Sequence, residues 1–168
     1  MNTPPSKFSH HVAAYKAQLD KGDIQQAYAG LVKFVMRLGS TLEKKLAKHY
    51  AVGNLFQGYM DYTYFYYTND FLKERKLKFG LVLNHSKMRF EIWLLGQTIP
   101  IQEKYWAFFK TTQWNEGRTT KPTYAILETS LIDAPNFDDL ELLAKQIEKK
   151  LIIVSKAIIQ DVKKSKLQ

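Results

Sequence analysis

The sequence predicts an α+β fold, in which a single four-stranded, largely antiparallel sheet is combined with two N-terminal helices, a mid-chain helix and a long C-terminal helix. Apolar residues recur every three or four positions near both ends of the 168-residue chain, as in amphipathic helices. Between them, short runs alternate apolar and polar residues, as in half-buried strands. The turn-like segment 84–87 joins two such runs and predicts a hairpin.

The elements follow in order from periodicity and boundary signals. A first helix over 8–21 stops at Gly22. Asp23 opens a capping box that starts a second helix, whose apolar stripe runs to about Tyr50. Short helices are predicted at 69–76 and 100–112, and a terminal helix at 140–162. The predicted strands lie at 57–67, 77–83, 89–95 and 124–131.

The length fits a single domain over residues 1–168, with a short flexible N-terminus at 1–7 and a basic tail at 163–168. The sequence has no cysteine, which excludes disulfides, thiolate nucleophiles and cysteine-bound zinc. It has no run of about 20 apolar residues and no secretory leader pattern, so we expect a cytoplasmic protein that does not enter the membrane.

The formal net charge is +9, which favours anionic partners such as nucleic acid or an acidic protein. Basic helix faces that are simply solvated explain the same excess. The candidates for a basic binding surface are Lys44, Lys45, Lys48, Lys73, Arg75, Lys163 and Lys164.

Charged residues also occur within the predicted strands. If Phe90 and its alternating neighbours face the core, the pleat places Arg89, Glu91 and Trp93 on the opposite face. Asp61 falls in the middle of the first predicted strand, where a carboxylate needs a partner, and Arg89 is expected to bridge it to Glu91. The candidate ligand-binding residues are therefore Gln57, Asp61, Asn84, Arg89, Glu91 and Trp93. A purely structural charge network across the strands explains the same set.

Other motifs give weaker hypotheses. The histidines are not spaced as metal ligands, and no nucleotide-binding glycine loop is present, so we expect neither a metal nor a cofactor. Asp61 followed by Glu74-Arg75-Lys76 has the letter pattern of a metal-dependent nuclease, although these three residues precede a strand rather than lie on one. The alternating Tyr62, Tyr64 and Tyr66 are compatible with base stacking or with core packing.

Three strings carry a resemblance to a known family: Gln57–Phe65, Arg89–Gly96 and Lys104–Trp106. Together they resemble an uncharacterised family of small bacterial proteins, a domain of unknown function. The resemblance implies a single-domain cytoplasmic bacterial protein and transfers no catalytic residues. The order of helices and strands also resembles, more loosely, domains of unknown function found near restriction and DNA-repair proteins.

The resulting hypothesis is a non-enzymatic binding domain for a polyanion or an acidic protein. The alternative is a small-ligand receptor or enzyme that uses the cluster around Asp61, Arg89, Glu91 and Trp93, with nuclease-like chemistry as its least favoured form. Self-association into a homodimer through a sheet edge or the terminal helix is a third expectation.

Overall fold

A computed structural model describes residues 7–167, so most of the expected flexible N-terminus lies outside the described residues. The helices are α1 (Phe8–Leu19), α2 (Asp23–Leu46), α3 (Asp70–Glu74), α4 (Ile99–Phe109) and α5 (Leu140–Lys164). The strands are β1 (Ala51–Phe56), β2 (Tyr62–Thr68), β3 (Leu77–Asn84), β4 (Arg89–Gly96) and β5 (Leu127–Ile132). The α+β class is thereby confirmed.

By its contacts the chain divides into two compact units, Met1–Phe34 and Val35–Gln168. The described part of the first unit is α1 and the start of α2, joined at Gly22, whose backbone is left-handed. The stripe that predicted α1 includes Phe8 and Tyr15, and both side chains are exposed. The expectation of a single domain stays a prediction.

The sheet has five strands rather than the expected four, in the order β1-β2-β3-β4-β5 with every neighbouring pair antiparallel. The strand that sequence analysis missed is β1, at the edge. Its pairing with β2 shifts between Val52 and Leu55, which is the mark of a β-bulge. The bulge breaks the two-residue alternation, so the sequence of β1 lacks the period by which strands are recognised.

The sequence predicts that segment 57–61 is the first half of a strand, but in the structure this segment is a turn. Gly58 and Met60 both have left-handed backbone, and a Cβ on Gly58 would lie 2.1 Å from the carbonyl oxygen of Tyr62. Only glycine fits there without a shift of the backbone. Other boundaries also differ from expectation: α2 ends at Leu46 rather than near Tyr50, α4 ends at Phe109 rather than near residue 112, and β5 begins only at Leu127.

The main core lies on one face of the sheet in the second unit. Gly39 of α2 allows a close approach to the Phe65 ring of β2, since a Cβ there would lie 3.3 Å from that ring. On α5, Ser155 exchanges a 2.8 Å hydrogen bond with the fully buried Tyr67 hydroxyl. The central strands supply the apolar side chains Phe79, Leu81, Leu83, Phe90, Ile92 and Leu94, each less than 1% exposed. This face is covered, which leaves the other face for a site.

The Tyr67 hydroxyl generates a stability prediction. Tyr67→Phe leaves the buried Ser155 hydroxyl without this partner, so the free energy of unfolding should fall by about 1–3 kcal/mol. Urea denaturation measures the change. Combining Tyr67→Phe with Ser155→Ala should recover part of the loss, because both polar groups are then removed; equal losses in single and double variants would contradict this account.

Candidate functional site

The second face of the sheet carries a buried carboxylate. Glu91 of β4 is 1% exposed, and its two oxygens take separate sets of donors. Oε1 accepts a 2.6 Å bond from Arg89 Nε and a 3.3 Å bond from Asn84 Nδ2. Oε2 accepts a 2.7 Å bond from the indole Nε1 of Trp93. The carboxylate is therefore paired with a cation and hydrogen-bonded through both oxygens, as a buried charge must be.

Of the six candidate residues, the structure brings Asn84, Arg89 and Trp93 together around Glu91. The second carboxylate that contacts Arg89 is not the expected Asp61. Arg89 Nη1 lies 3.4 Å from Asp133 Oδ1, an atom that also accepts a 2.6 Å bond from Ser130 Oγ. Among residues 7–167, Asp61 forms no ion pair with Arg89. Because β5 flanks β4, the residue that follows β5 reaches the guanidinium, and sequence spacing alone gave no signal for this contact.

Asp61 has a local role in the turn before β2. Its Oδ1 accepts backbone N–H bonds from Tyr59 at 2.8 Å and Tyr62 at 2.7 Å. These two bonds, the first being the larger effect, lower the pKa of Asp61 from its ordinary value of 3.8. Gln57, at the start of the same turn, is exposed, and its carbonyl accepts a bond from Thr63 Oγ1. The expectation that Asp61 is a mid-strand buried charge is wrong, because the strand begins after it.

Thr63 and His85 connect this turn to the β3–β4 hairpin. The Thr63 hydroxyl is fully buried and lies 2.8 Å from His85 Nε2. Burial lowers the pKa of His85, although the nearby Asp61 charge acts in the opposite direction. The contact holds the turn against the hairpin at the end of the sheet where Asp61 lies.

Next to Glu91, the second face forms a concave pocket of about 330 Å³, here called the tyrosine pocket. Its aromatic lining comes mainly from β2, whose alternate residues share one face of the pleat. Trp93 meets the Tyr62 ring edge-on at 5.0 Å, and Tyr124 meets the same ring at 6.4 Å. The lining residues are Gly58, Asp61, Tyr62, Tyr64, Tyr66, Lys78, Val82, Trp93, Leu95, Gly96, Gln102 and Tyr124.

Lys78 supplies the ammonium group of this pocket. Its Nζ lies 3.5 Å from the centre of the Tyr66 ring, a cation–π distance. Among the described residues it has no carboxylate within ion-pair distance. Partial burial lowers the pKa of Lys78, because it removes water from the charged form without supplying a counter-ion.

Two further polar groups lie in the pocket wall. Burial, followed by a hydrogen bond to Tyr64, raises the pKa of Tyr66 to about 12, so its hydroxyl stays protonated at neutral pH. Gln102 lies in the first turns of α4, beside Gly96. Its Oε1 is buried and accepts no hydrogen bond from the part of the chain that the structure describes. A buried acceptor without a donor is uncommon in folded proteins.

Sequence reasoning missed Lys78, Gln102, Tyr124 and Asp133. For Lys78 a signal was present, because it precedes Phe79 in the alternation of β3 and must share a face with Tyr66, which lies on the neighbouring strand. Gln102 lies on a helix, α4, and Tyr124 and Asp133 lie outside the regular elements, so no strand alternation places these three.

The basic-surface candidates lie on or just after α2 and α3 and on α5, and several are neutralised locally. Lys45 pairs with Glu148 at 2.5 Å, Lys73 with Asp70 at 3.6 Å, and Lys164 with Asp161 at 2.7 Å. Arg75 and Lys163 both lie over the Phe71 ring, at 3.9 and 5.5 Å. Lys44 and Lys48 are exposed.

The nuclease pattern is not assembled on a strand. Glu74 ends α3, and Lys76 lies in the turn that follows, with left-handed backbone. Within residues 7–167, no group of three or more histidine, aspartate or glutamate side chains is placed to hold a metal ion. No helix in the same range is both long and apolar enough to cross a lipid bilayer.

Residues 8–162 match a protein family described as a domain of unknown function, DUF7000. The chain belongs to this family. No curated protein and no solved structure matches it. The predicted resemblance to an uncharacterised family is thereby confirmed. The family has no described function, so the candidate site is argued from the chemistry of its own residues.

Glu91 and its partners Arg89 and Asn84, here called the Glu91 cluster, should stabilise the folded protein strongly. Arg89→Met leaves a buried carboxylate without its guanidinium, so we expect a loss of about 2–3 kcal/mol in the free energy of unfolding. The matched control is Arg118→Met, which removes a more exposed 3.1 Å pair with Glu128 and should cost less than about 1 kcal/mol. Chemical denaturation compares the two. Equal losses would show that the Glu91 cluster is no more important than a surface ion pair.

Asp61 should make stability depend on pH. The pKa of Asp61 is lower in the folded protein than in the unfolded chain, so its contribution is present above the unfolded pKa and is lost as pH falls through the folded pKa. Asp61→Asn should therefore be less stable than the natural protein at neutral pH, and the difference should shrink in acid. Urea denaturation across this range measures it. A difference that does not vary with pH would contradict the role of the carboxylate charge.

Proposed function

We propose that this protein binds a small planar molecule bearing an anionic group in the tyrosine pocket. The single observation that supports this most is Lys78, a partly buried cation without a carboxylate partner among residues 7–167, placed at an aromatic wall. Ligand sites in proteins are commonly apolar concavities with a few polar groups that orient the ligand. A volume of about 330 Å³ is at the small end of that class.

The aromatic lining favours a flat ligand. Tyr64 packs in parallel against Phe56 at 5.2 Å and at a tilt against Tyr66 at 5.3 Å, so the rings are fixed by one another and not by a ligand. Fixed rings lose little conformational entropy on binding. An aromatic ligand would stack on these rings. Its anionic group would pair with the Lys78 ammonium, which partial burial has deprived of water.

Gln102 adds a directional requirement. Its buried Oε1 accepts no bond within the described chain, so a ligand N–H or O–H would satisfy it. The expected ligand therefore combines a planar ring, an acidic group and a hydrogen-bond donor. The Glu91 cluster supports this site by fixing Trp93, and in this proposal it does not itself contact the ligand.

The polyanion hypothesis stays a prediction. Asp61 lines the tyrosine pocket and Glu128 lies opposite Trp93 in the sheet, so the neighbourhood of Lys78 is mixed in charge and not a basic surface. A long polyanion binds best where cations are numerous and unpaired. The acidic-protein hypothesis has the same requirement. Neither needs an enclosed aromatic pocket.

Two fluorescent probes test the proposal. We expect 1-anilinonaphthalene-8-sulfonate to bind the protein, and Lys78→Met to weaken its binding by about tenfold, the equivalent of about 1.4 kcal/mol. The neutral analogue N-phenyl-1-naphthylamine lacks the sulfonate, so its affinity should be nearly unchanged in the same variant. Fluorescence titration measures both.

The matched control is Lys121→Met, since Lys121 bonds the carbonyl of Pro122 rather than lining the pocket. This substitution should leave both probes unaffected. Absence of sulfonate binding, or equal loss of sulfonate affinity in the Lys78 and Lys121 variants, would contradict the proposal.

A further inference from the structure

The C-terminal helix α5 carries a line of lysines that is separate from the tyrosine pocket. Successive residues of an α-helix are rotated by about 100°, so positions four and seven apart lie on nearly the same side. Four exposed lysines of α5 have these spacings, and together they extend about 27 Å along the helix axis. These four residues, here called the lysine stripe, are Lys145, Lys149, Lys156 and Lys163.

Two acidic residues lie within this stretch of α5, and both pair with lysines outside the stripe. Glu148 pairs with Lys45 of α2, and Asp161 pairs with Lys164 at 2.7 Å. Within residues 7–167, none of the four stripe lysines has a carboxylate at ion-pair distance. The stripe is therefore a line of positive charges that the described chain does not neutralise.

A helix face that is only solvated usually mixes charges of both signs, which attract one another along the helix. The stripe has one sign, and Lys145 repels Lys149 because the two are four positions apart. Asp133 lines a concavity with Lys149, but its Oδ1 already accepts bonds from two other side chains. Lys150 differs from the stripe, since it donates to the carbonyl of Leu131. The stripe thus lacks an internal partner and would be stabilised by an anion from outside the chain.

We propose that the lysine stripe binds the phosphate backbone of double-stranded DNA without regard to base sequence. A line of cations fits a linear polyanion, and DNA carries one charge per about 1.7 Å of its axis, so the stripe covers about eight base pairs. The apolar side of α5 is buried in the core, so this helix cannot enter a lipid bilayer. Contacts between proteins are depleted of lysine, which disfavours an acidic protein here.

The composition of α5 favours a DNA duplex over other nucleic acids. The helix contains no aromatic residue, so it offers no ring on which the bases of a single strand would stack. Recognition of RNA duplexes uses contacts to 2′-hydroxyl groups, whereas a single line of ammonium groups contacts phosphates. Because the opposite side of α5 is packed against the core, the helix cannot enter a groove to contact base edges.

Fluorescence anisotropy with a labelled DNA duplex tests the proposal on the full chain. Each phosphate contact contributes about −0.9 to the slope of log affinity against log salt concentration, so four contacts should give about −3.6. The affinity for a duplex of about 16 base pairs should then fall about a hundredfold between about 50 and about 200 mM salt. A second duplex of unrelated sequence should bind equally, and a single strand of the same length should bind more weakly.

The stripe variant replaces all four lysines with glutamine, which has a similar helix propensity. Its affinity at low salt should fall by more than about tenfold, and the slope should shrink by about one per lysine. The matched control removes the same charge from four exposed lysines outside α5, and it should keep both the affinity and the slope. These are Lys16, Lys21, Lys33 and Lys110. Circular dichroism checks that both variants are folded, and Lys149→Gln alone, which should shrink the slope by about one, gives a second measurement.

No binding of the duplex at about 50 mM salt would overturn the proposal, because four free phosphate contacts are strongest there. Equal losses in the stripe variant and the control would overturn it as well, since only the total charge would then matter. Tighter binding of an RNA duplex would overturn the assignment to DNA. Stripe-dependent binding to phosphatidylserine vesicles or to poly-L-glutamate, without binding to the duplex, would show that the partner is a membrane or an acidic protein instead.

Discussion

The hydrogen bond from the Trp93 indole to the Glu91 carboxylate connects the fold to the candidate site. Glu91 is buried on the face of the sheet opposite the main core, where a charge is tolerated only if its oxygens are satisfied. Arg89 and Asn84 occupy one oxygen and Trp93 the other. Because the indole is fixed at its nitrogen, its ring is held against Tyr62, and the lining of the tyrosine pocket becomes a defined surface.

The two faces of the sheet therefore have different roles. On the covered face, fully buried side chains of β3 and β4 pack between the sheet and the helices of the second unit, and stability comes mainly from apolar burial. On the other face, Val82, Trp93, Leu95 and Ala125 form a smaller apolar cluster, against which the three tyrosines of β2 are only partly buried. A small cluster with partly exposed rings gives a pocket that is rigid and still open to a ligand.

Within residues 7–167, the charges near the pocket are arranged so that Lys78 has no carboxylate partner. Arg89 and Arg118 both pair with carboxylates, and Asp61 is occupied by backbone N–H groups. Lys78 is different, since a ring and not a carboxylate faces its ammonium group. The net charge of +9, which first indicated an anionic partner, is mostly carried elsewhere and is partly neutralised by local pairs. A single unpaired cation at an aromatic wall is a more specific indication of ligand chemistry than the total charge.

The sequence by itself determined the α+β class, the β3–β4 hairpin and the unusual charges of β4, because each of these depends on alternation or periodicity along one segment. It also indicated that Tyr62, Tyr64 and Tyr66 share a face. It misplaced Asp61 and missed β1, because a bulge and a left-handed turn interrupt the alternation there. Only the tertiary structure brought Asp133 to Arg89, placed the Lys78 ammonium over the Tyr66 ring and brought Gln102 to the pocket wall. These contacts join separate elements, and their geometry is set by how strands pair and how α4 leaves the sheet, which no local pattern encodes.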